Sequence, residues 1–412
     1  MSYAAVMMRN VVMIAPFPVE HTMKFVRAAS ELDNVRLLGL VHTPPTGPDV
    51  NRYDDIVYMT NPMDKQDIFD GVELLAKRHG RIDRIICILE ALMVPVAEAR
   101  AKFDIPGTQP AVAHVFRDKN AMKNALTDAG LPVARHKLLG SVEDGLSFAS
   151  QVGFPLILKP PAGMGSKATF RVSDAQALER SIVGMRVNPA NPVLAEEMLQ
   201  GREFSFETIT LNGTPQVTSI THYLPSCLEV LENPWMQYCV LLPRDISGPE
   251  YAPIKEIGVQ AIKALGLQNG MTHMEWFQRA DGSMVIGEIA QRPAGANITP
   301  MNAAAHGIDI WRAWARAEVD GELDSPWDRK FAVGTAFLRG MGRGRVVGVT
   351  GWREVQNQIG HLIVETKLPT LGARKSGHYE GDGRIMVKHP ETETVKQALG
   401  IIVRTLKIHY SG

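Results

Sequence analysis

The chain of 412 residues is 45% apolar and 21% charged, the balance of an ordinary globular protein with room for two or three domains. Lys plus Arg and Asp plus Glu each number 44, so nothing in the overall charge points to nucleic acid or to an anionic membrane surface. Cys87, Cys227 and Cys239 form no Cys-x-x-Cys pair, which argues against a disulfide framework and a zinc site and fits a reducing cytoplasm.

The N-terminal apolar run is interrupted by Arg9-Asn10, so no signal peptide is expected. No stretch approaches the roughly 18 apolar residues that a membrane-spanning helix needs. Apolar runs at 11–15, 35–41, 55–59 and 84–90 alternate with helical patterns near 21–32, 65–79 and 93–103. That alternation predicts an α/β start: a Rossmann-like parallel sheet with helices on both faces. The first strand runs into Ala15-Pro16-Phe17-Pro18 without a Gly-x-Gly-x-x-Gly turn, which argues against NAD. Glu90 is expected to close a strand at the carboxyl edge where such sheets bind ligands, as a cleft residue or as a helix cap.

A helix is predicted over Arg117–Leu126, ending at Ala129-Gly130-Leu131-Pro132. Phe154–Lys159 reads as a buried strand ending in a lysine. The small-residue loop Pro161-Ala162-Gly163-Met164-Gly165-Ser166-Lys167 follows, and then a strand from Ala168 to Val172. Glycines let backbone amides approach phosphate oxygens, but most turns of this composition only connect strands, and the P-loop pattern is absent. Pro192–Leu199 is an apolar strand carrying Glu196-Glu197. The alternating run from Glu203 turns at Asn212-Gly213 into a hairpin. Residues 225–250 look irregular, either a substrate-facing loop or a plain surface loop, and 251–266 form an amphipathic helix.

The most informative stretch is His273–Asn297. Two apolar runs flank Asp281-Gly282, the signature of a two-residue type I′ turn, and a tip at those residues places Glu275 opposite Glu288. The same register puts His273 opposite Ala290 and Met271 opposite Arg292. Opposed carboxylates on Cβ atoms roughly 4.5–5.5 Å apart repel unless a positive charge lies between them. A divalent cation supplies that charge, and hard oxygen ligands suit Mg²⁺ held in company with nucleotide phosphates. The alternative is a solvated hairpin whose glutamates splay apart. A helix over 300–319 and a polar boundary near 321–329 lead into a mixed end region, 330–412, in which Gly340-Met341-Gly342-Arg343-Gly344 reads as a turn between strands.

Taken together, Arg-Asp-Lys119-Asn, Leu-Lys159-Pro, the small-residue loop, Glu196-Glu197-Met198-Leu199 and the Glu275/Glu288 hairpin occur in this order in the ATP-grasp superfamily, which the chain resembles over nearly its whole length. It is most similar to the carboxylate–amine ligases that include amino-acid and dipeptide ligases. The resemblance implies an α/β fold, α+β in its C-terminal half. Its parts would be a Rossmann-like domain (1–115), a linker helix and lid subdomain (116–200), a core with the metal-binding hairpin (201–329) and a mixed α/β end (330–412). It implies that Lys119 and Lys159 touch the nucleotide phosphates and that Gly163, Gly165 and Ser166 cover them. Glu196 would face the adenine amino group, with backbone contacts from Glu197 and Leu199 and with Glu203 on the ribose. Glu275 and Glu288 would bind Mg²⁺ or Mn²⁺, Arg292 would lie near the γ-phosphate or acyl phosphate, and His273 would face the substrate carboxylate.

The implied activity is ATP-dependent amide or peptide bond formation through an acyl phosphate, from a small acid and an amine. Carboxylase-type chemistry and a catalytically silent nucleotide-binding module are the alternatives. The implied setting is cytoplasmic, with small-molecule partners and neither nucleic acid nor membrane; many relatives are homodimers, and the sequence leaves open whether this chain is one. One departure stands out. Many members read Glu-x-Asn at the second metal position, where this chain has Glu288-Ile289-Ala290, as some relatives also do; a second metal ion is therefore the least supported part of the site.

Overall fold

A computed structural model describes residues 8–163, 169–324 and 326–412. The N-terminal part places β1 (Arg9–Ile14), β2 (Val35–Val41), β3 (Asp55–Tyr58) and β4 (Arg84–Ile86) in one parallel sheet of order β3-β2-β1-β4. Val11, Val12, Met13 and Ile14 are all fully buried, as expected of a strand covered on both faces. Helices α1 (Glu20–Ser30), α2 (Lys65–His79) and α3 (Met93–Lys102) connect and follow these strands, and Asp64 caps α2 by accepting from the Gln66 amide. Strand β4 stops at Ile86. Glu90 therefore does not close the strand but opens a short 3₁₀ turn running into α3.

The helix expected over Arg117–Leu126 is split. α4 (Pro110–Arg117) ends at Asp118, whose extended backbone breaks the helix and whose carboxylate accepts from the Ala121 amide to start α5 (Lys119–Asp128). Arg117 and Lys119 thus stand on either side of a helix junction.

A small antiparallel sheet of order β5-β8-β6-β7 follows, built from β5 (His136–Leu139), β6 (Leu156–Lys159), β7 (Phe170–Val172) and β8 (Val193–Glu197). Its helices α6 (Val142–Val152) and α7 (Ala175–Gly184) bury Phe148, Leu178 and Ile182 against Leu139, Leu156, Leu158 and Val193.

Among the described residues the largest sheet has eight strands, ordered β13-β12-β9-β10-β11-β14-β17-β16. β9 (Arg202–Leu211) and β10 (Thr214–Leu224) turn at Asn212-Gly213, both at positive φ, as a two-residue type I′ turn requires. The segment expected to be irregular holds α8 (Cys227–Glu232) and β11 (Tyr238–Leu242). The latter is buried in mid-sheet, where its uninterrupted apolar run Tyr-Cys-Val-Leu-Leu belongs. α9 (Ala252–Leu265) precedes β12 (Gly270–Gln278) and β13 (Met284–Ala290). The helix expected over 300–319 is two helices, α10 (Ile298–His306) and α11 (Ile310–Val319), separated by Gly307 at φ +68 and restarted by Asp309, which caps two amides. The end region adds β14 (Ala332–Leu338), β15 (Val346–Thr350), α12 (Trp352–Ile359), β16 (Ile363–Lys367), β17 (Gly383–His389), α13 (Thr392–Thr405) and β18 (Lys407–Tyr410), of which β14, β16 and β17 extend the large sheet. Among the described residues no helix is long and apolar enough to cross a membrane.

The β12–β13 hairpin corrects one expectation and keeps its consequence. The tip is not a two-residue type I′ turn. Gly282 alone has positive φ, its amide donates to the Arg279 carbonyl, and Arg279 pairs with Ser283 around a three-residue loop. That loop shifts the near register by one residue, so Trp276 faces Ile286. A bulge at Gly287 shifts it back, and Glu275 faces Glu288, with His273 opposite Ala290. Glycine keeps the bulge uncrowded: an added Cβ would meet the Phe277 ring at 3.2 Å and the Glu275 carbonyl oxygen at 3.3 Å, so these neighbours would have to give way by a few tenths of an ångström. Strand β13 ends at Ala290, so Arg292 lies beyond the ladder and does not pair with Met271.

Candidate active site

One cavity of about 570 Å³ lies where the small sheet, the large sheet and the N-terminal part meet. Its floor is the face of the large sheet on which Glu203, Ser205 and Glu207 of β9 stand opposite Phe277, Glu275 and His273 of β12. A strand period of two makes that face polar and leaves Phe204, Phe206, Met274 and Trp276 to the core behind it.

Lys119 Nζ lies 2.8 Å from Glu288 Oε1 and donates to the Gly163 carbonyl at 2.8 Å. Lys159, at the end of β6, lies 2.9 Å from Glu196 Oε1 and 3.7 Å from Glu288 Oε2. Burial pushes the Glu288 carboxyl up, but the Lys119 and Lys159 ammoniums more than reverse this and hold it well below the usual range. Glu196 follows the same pattern, with burial opposed by Lys123 and Lys159 and the result lowered. Glu197 has different partners from Glu196: its carboxylate accepts from the Arg135 amide and guanidinium and from Arg279, while the residue lines the cavity.

Glu203 is buried and accepts from the Cys227 amide at 2.7 Å. Burial and the nearby Glu275 carboxylate push its carboxyl up to about 8. His273 is buried too. Desolvation would lower it, but Glu207 at 3.0 Å from Nδ1 and Glu275 at 3.6 Å from Nε2 outweigh that and raise it to about 9, so the imidazolium bridges two carboxylates. Arg292 joins the same cavity from beyond the strand. Its Nε donates to Glu90 Oε2 at 2.8 Å, while Arg117 reaches Glu90 Oε1 at 3.4 Å and donates to the Ala162 carbonyl.

Of the residues singled out from the sequence, Lys119, Lys159, Gly163, Glu196, Glu197, Leu199, Glu203, His273, Glu275, Glu288 and Arg292 all line this cavity. Gly165 and Ser166 lie outside the described residues. Sequence reasoning missed Lys123, Glu207 and Arg117, together with Tyr223 and Tyr379 in the wall. Lys123 had a signal available: it stands one helical turn after Lys119, on the same face of α5. Glu207 had one as well, two strand positions from Ser205 and four from Glu203 on the face the carboxylates share.

Among the described residues, no group of three or more His, Cys, Asp or Glu side chains is arranged to hold a metal ion. Two opposed carboxylates facing a cavity with two lysines do fit Mg²⁺, which takes one or two carboxylates and completes its shell with phosphate oxygens and waters.

Residues 152–300 match the ATP-grasp domain family. The L-arginine-specific L-amino acid ligase of Bacillus subtilis is 25% identical over 272 residues, covering 65% of this chain and 65% of the relative. Alanine–anticapsin ligase of Bacillus subtilis (strain 168) is 26% identical over 281 residues, covering 60% of this chain and 56% of the relative. Each match thus spans somewhat less than two thirds of the relative's own length. The crystal structure of L-amino acid ligase from Bacillus licheniformis superposes with a TM-score of 0.77 at 19% identity, covering 98% of this chain and 99% of that one. N5-carboxyaminoimidazole ribonucleotide synthetase from Thermotoga maritima superposes with a TM-score of 0.70 at 18% identity, covering 98% of this chain. Both solved structures share the mixed α/β fold described above, and within that fold residues 152–300 of this chain form an ATP-grasp domain.

Proposed function

We propose that this protein is an ATP-dependent carboxylate–amine ligase that forms an amide or peptide bond between a small carboxylic acid, such as an amino acid, and an amine. The observation that carries this reading is the meeting of Lys119 from α5 and Lys159 from the small sheet on one carboxylate, Glu288, which stands opposite Glu275 at the cavity floor. Phosphoryl transfer asks a protein for charge neutralisation along an in-line path more than for covalent chemistry. Two lysines, an arginine and a pair of carboxylates facing one cavity supply those parts.

In this reading Lys119 and Lys159 bind phosphate oxygens, with Gly163 covering them. Glu196, the backbone of Glu197 and Leu199, and Glu203 hold the adenosine. Glu275 and Glu288 hold Mg²⁺, which when bound would neutralise phosphate charge. Arg292, held by Glu90, orients the acid whose carboxylate oxygen attacks the γ-phosphorus. ADP leaves, and an amine nitrogen then attacks the acyl carbon and expels phosphate. The His273 imidazolium, fixed by Glu207, faces the substrate carboxylate and keeps Glu275 oriented. The amino-acid ligases among the relatives favour this chemistry over carboxylation.

The test is ADP release with Mg²⁺ and ATP over a matrix of amino acids as acid and amine, with products identified by mass spectrometry. ADP formation that requires both substrates, with an amide as product, is expected. Metal-dependent ADP formation absent from every pair would favour a silent nucleotide binder, for which Ala290 is the sequence hint.

A further inference from the structure

Strand β13 is an edge strand of the large sheet, so one row of its backbone groups lacks a neighbouring strand. Buried backbone groups need partners. At Ile286 the segment 132–134 supplies them: the Ile286 amide donates to the Pro132 carbonyl, and the Ala134 amide reaches the Ile286 carbonyl. At the bulge no strand is available, and α5 takes over. Lys123 Nζ donates to the Gly287 carbonyl at 2.6 Å, and the Ile289 amide donates to Met122 Sδ at 3.1 Å. Glu288 lies between these two anchored peptides.

Lys123 has no exposed surface and does not line the cavity, so it touches neither substrate nor nucleotide. Among the described residues its only carboxylate within salt-bridge reach is Glu196, at 3.4 Å, and burial lowers its pKa. Burying an ammonium costs several kcal/mol unless it is paired and hydrogen-bonded. A methionine would fill the space without that cost. The placement therefore calls for a job that a charge performs, and the job on view is to pin the bulge whose one-residue shift sets Glu288 opposite Glu275. We propose that Lys123 is a positioning residue for the divalent-cation site: its ammonium fixes the Gly287 carbonyl and so aims the Glu288 carboxylate at the cavity. This rests on the ligase reading above and extends it to a residue that makes no contact with the reactants.

The test separates cation binding from nucleotide binding and from folding. Free Mn²⁺ is counted by electron paramagnetic resonance in mixtures of Mn²⁺, ADP and protein, and ADP binding in EDTA is followed by equilibrium dialysis. Lys123→Met should weaken Mn²⁺ binding by about 10- to 100-fold, the usual loss when an outer partner of a metal ligand is removed, with metal-free ADP binding within about twofold of wild type. Lys123→Arg, which keeps a donor and a charge, should recover part of the loss. Gly287→Ala, which keeps Lys123 but crowds the bulge, should reproduce the Mn²⁺ defect and carries the test if Lys123→Met does not fold. Unchanged Mn²⁺ affinity in folded Lys123→Met, or in Gly287→Ala when Lys123→Met does not fold, would overturn the proposal. So would an equal loss of Mn²⁺ and metal-free ADP binding. If wild-type protein with ADP binds no Mn²⁺ at all, the ligase reading itself fails, an outcome distinguishable from either of these.

Discussion

Lys119 Nζ and Glu288 Oε1 lie 2.8 Å apart although one belongs to a helix start and the other to an edge strand of the large sheet. Lys159 approaches the same carboxylate from the small sheet. Glu288 is thus the point where three parts of the fold converge, and in the ligase reading both lysines turn to phosphate while the carboxylate takes the cation. Glu288→Gln keeps a carbonyl oxygen for Lys119 but removes the charge. Metal-dependent ADP formation should fall by at least about 100-fold, the size of effect seen when one electrostatic element of a transition state is lost, with the thermal midpoint within a few degrees of wild type. Turnover near the wild-type rate would remove Glu288 from the site.

The lysines should report on nucleotide affinity. A charge-assisted hydrogen bond is worth about 1.5–3 kcal/mol, so Lys159→Met should weaken ATP binding by roughly 10- to 150-fold. Calorimetric titration with a non-hydrolysable ATP analogue measures this directly. An unchanged dissociation constant would mean that Lys159 serves Glu196 alone.

Glu90 accepts from both Arg292 and Arg117. Removing one partner of a fully buried pair costs about 3–5 kcal/mol. The Arg292 side chain is 26% exposed, so the expected loss for Glu90→Ala is nearer about 2 kcal/mol. Urea denaturation reads it, and Glu90→Gln, which can still accept from Arg292, should lose less. Equal losses in the two variants would show that the guanidinium pairing is not what matters.

A pH test comes from His306, away from the cavity. It is buried at the end of α10, donates from Nδ1 to the Asn302 carbonyl at 2.9 Å, and burial lowers its pKa to about 4. Between pH 6.5 and 4 the unfolded chain takes up a proton that the folded chain refuses, so stability is present in full above 6.5 and is lost as pH falls toward 4. The loss from this one group is up to about 3 kcal/mol. His306→Gln should show a smaller drop in urea midpoint from pH 7 to pH 4.5 than wild type. Parallel drops would place the acid sensitivity elsewhere.

Much of the fold was legible because it rests on periodicity and punctuation. The alternation in the first hundred residues gave the parallel sheet, and Asn212-Gly213 gave the β9–β10 hairpin because both residues tolerate positive φ. Asp281-Gly282 looked the same and was not, since loop length is set by how strands pack and not by the dipeptide alone. Glu275 nevertheless faces Glu288, because the bulge at Gly287 cancels the extra loop residue, and the lone glycine inside the apolar run is the one hint of that bulge in the sequence. Strand β11 was missed because an apolar pentapeptide amid Pro, Asn and Trp carries no alternation when both its faces are buried. Arg117 was invisible for a different reason: it donates to a backbone carbonyl of a residue remote in sequence, which leaves no trace in composition or spacing, and Lys123, whose carbonyl partner is equally remote, offered only its one-turn spacing from Lys119.

The most direct measurement follows oxygen from the acid to the phosphate. With ATP, Mg²⁺, an amine and an acid labelled with ¹⁸O in its carboxyl group, phosphorus NMR of the released phosphate should show one ¹⁸O per turnover, since the attacking carboxylate oxygen stays with phosphorus when the amine displaces it. Phosphate carrying only unlabelled oxygen, formed while amide accumulates, would contradict attack of the carboxylate on the γ-phosphate at the Glu275–Glu288 site.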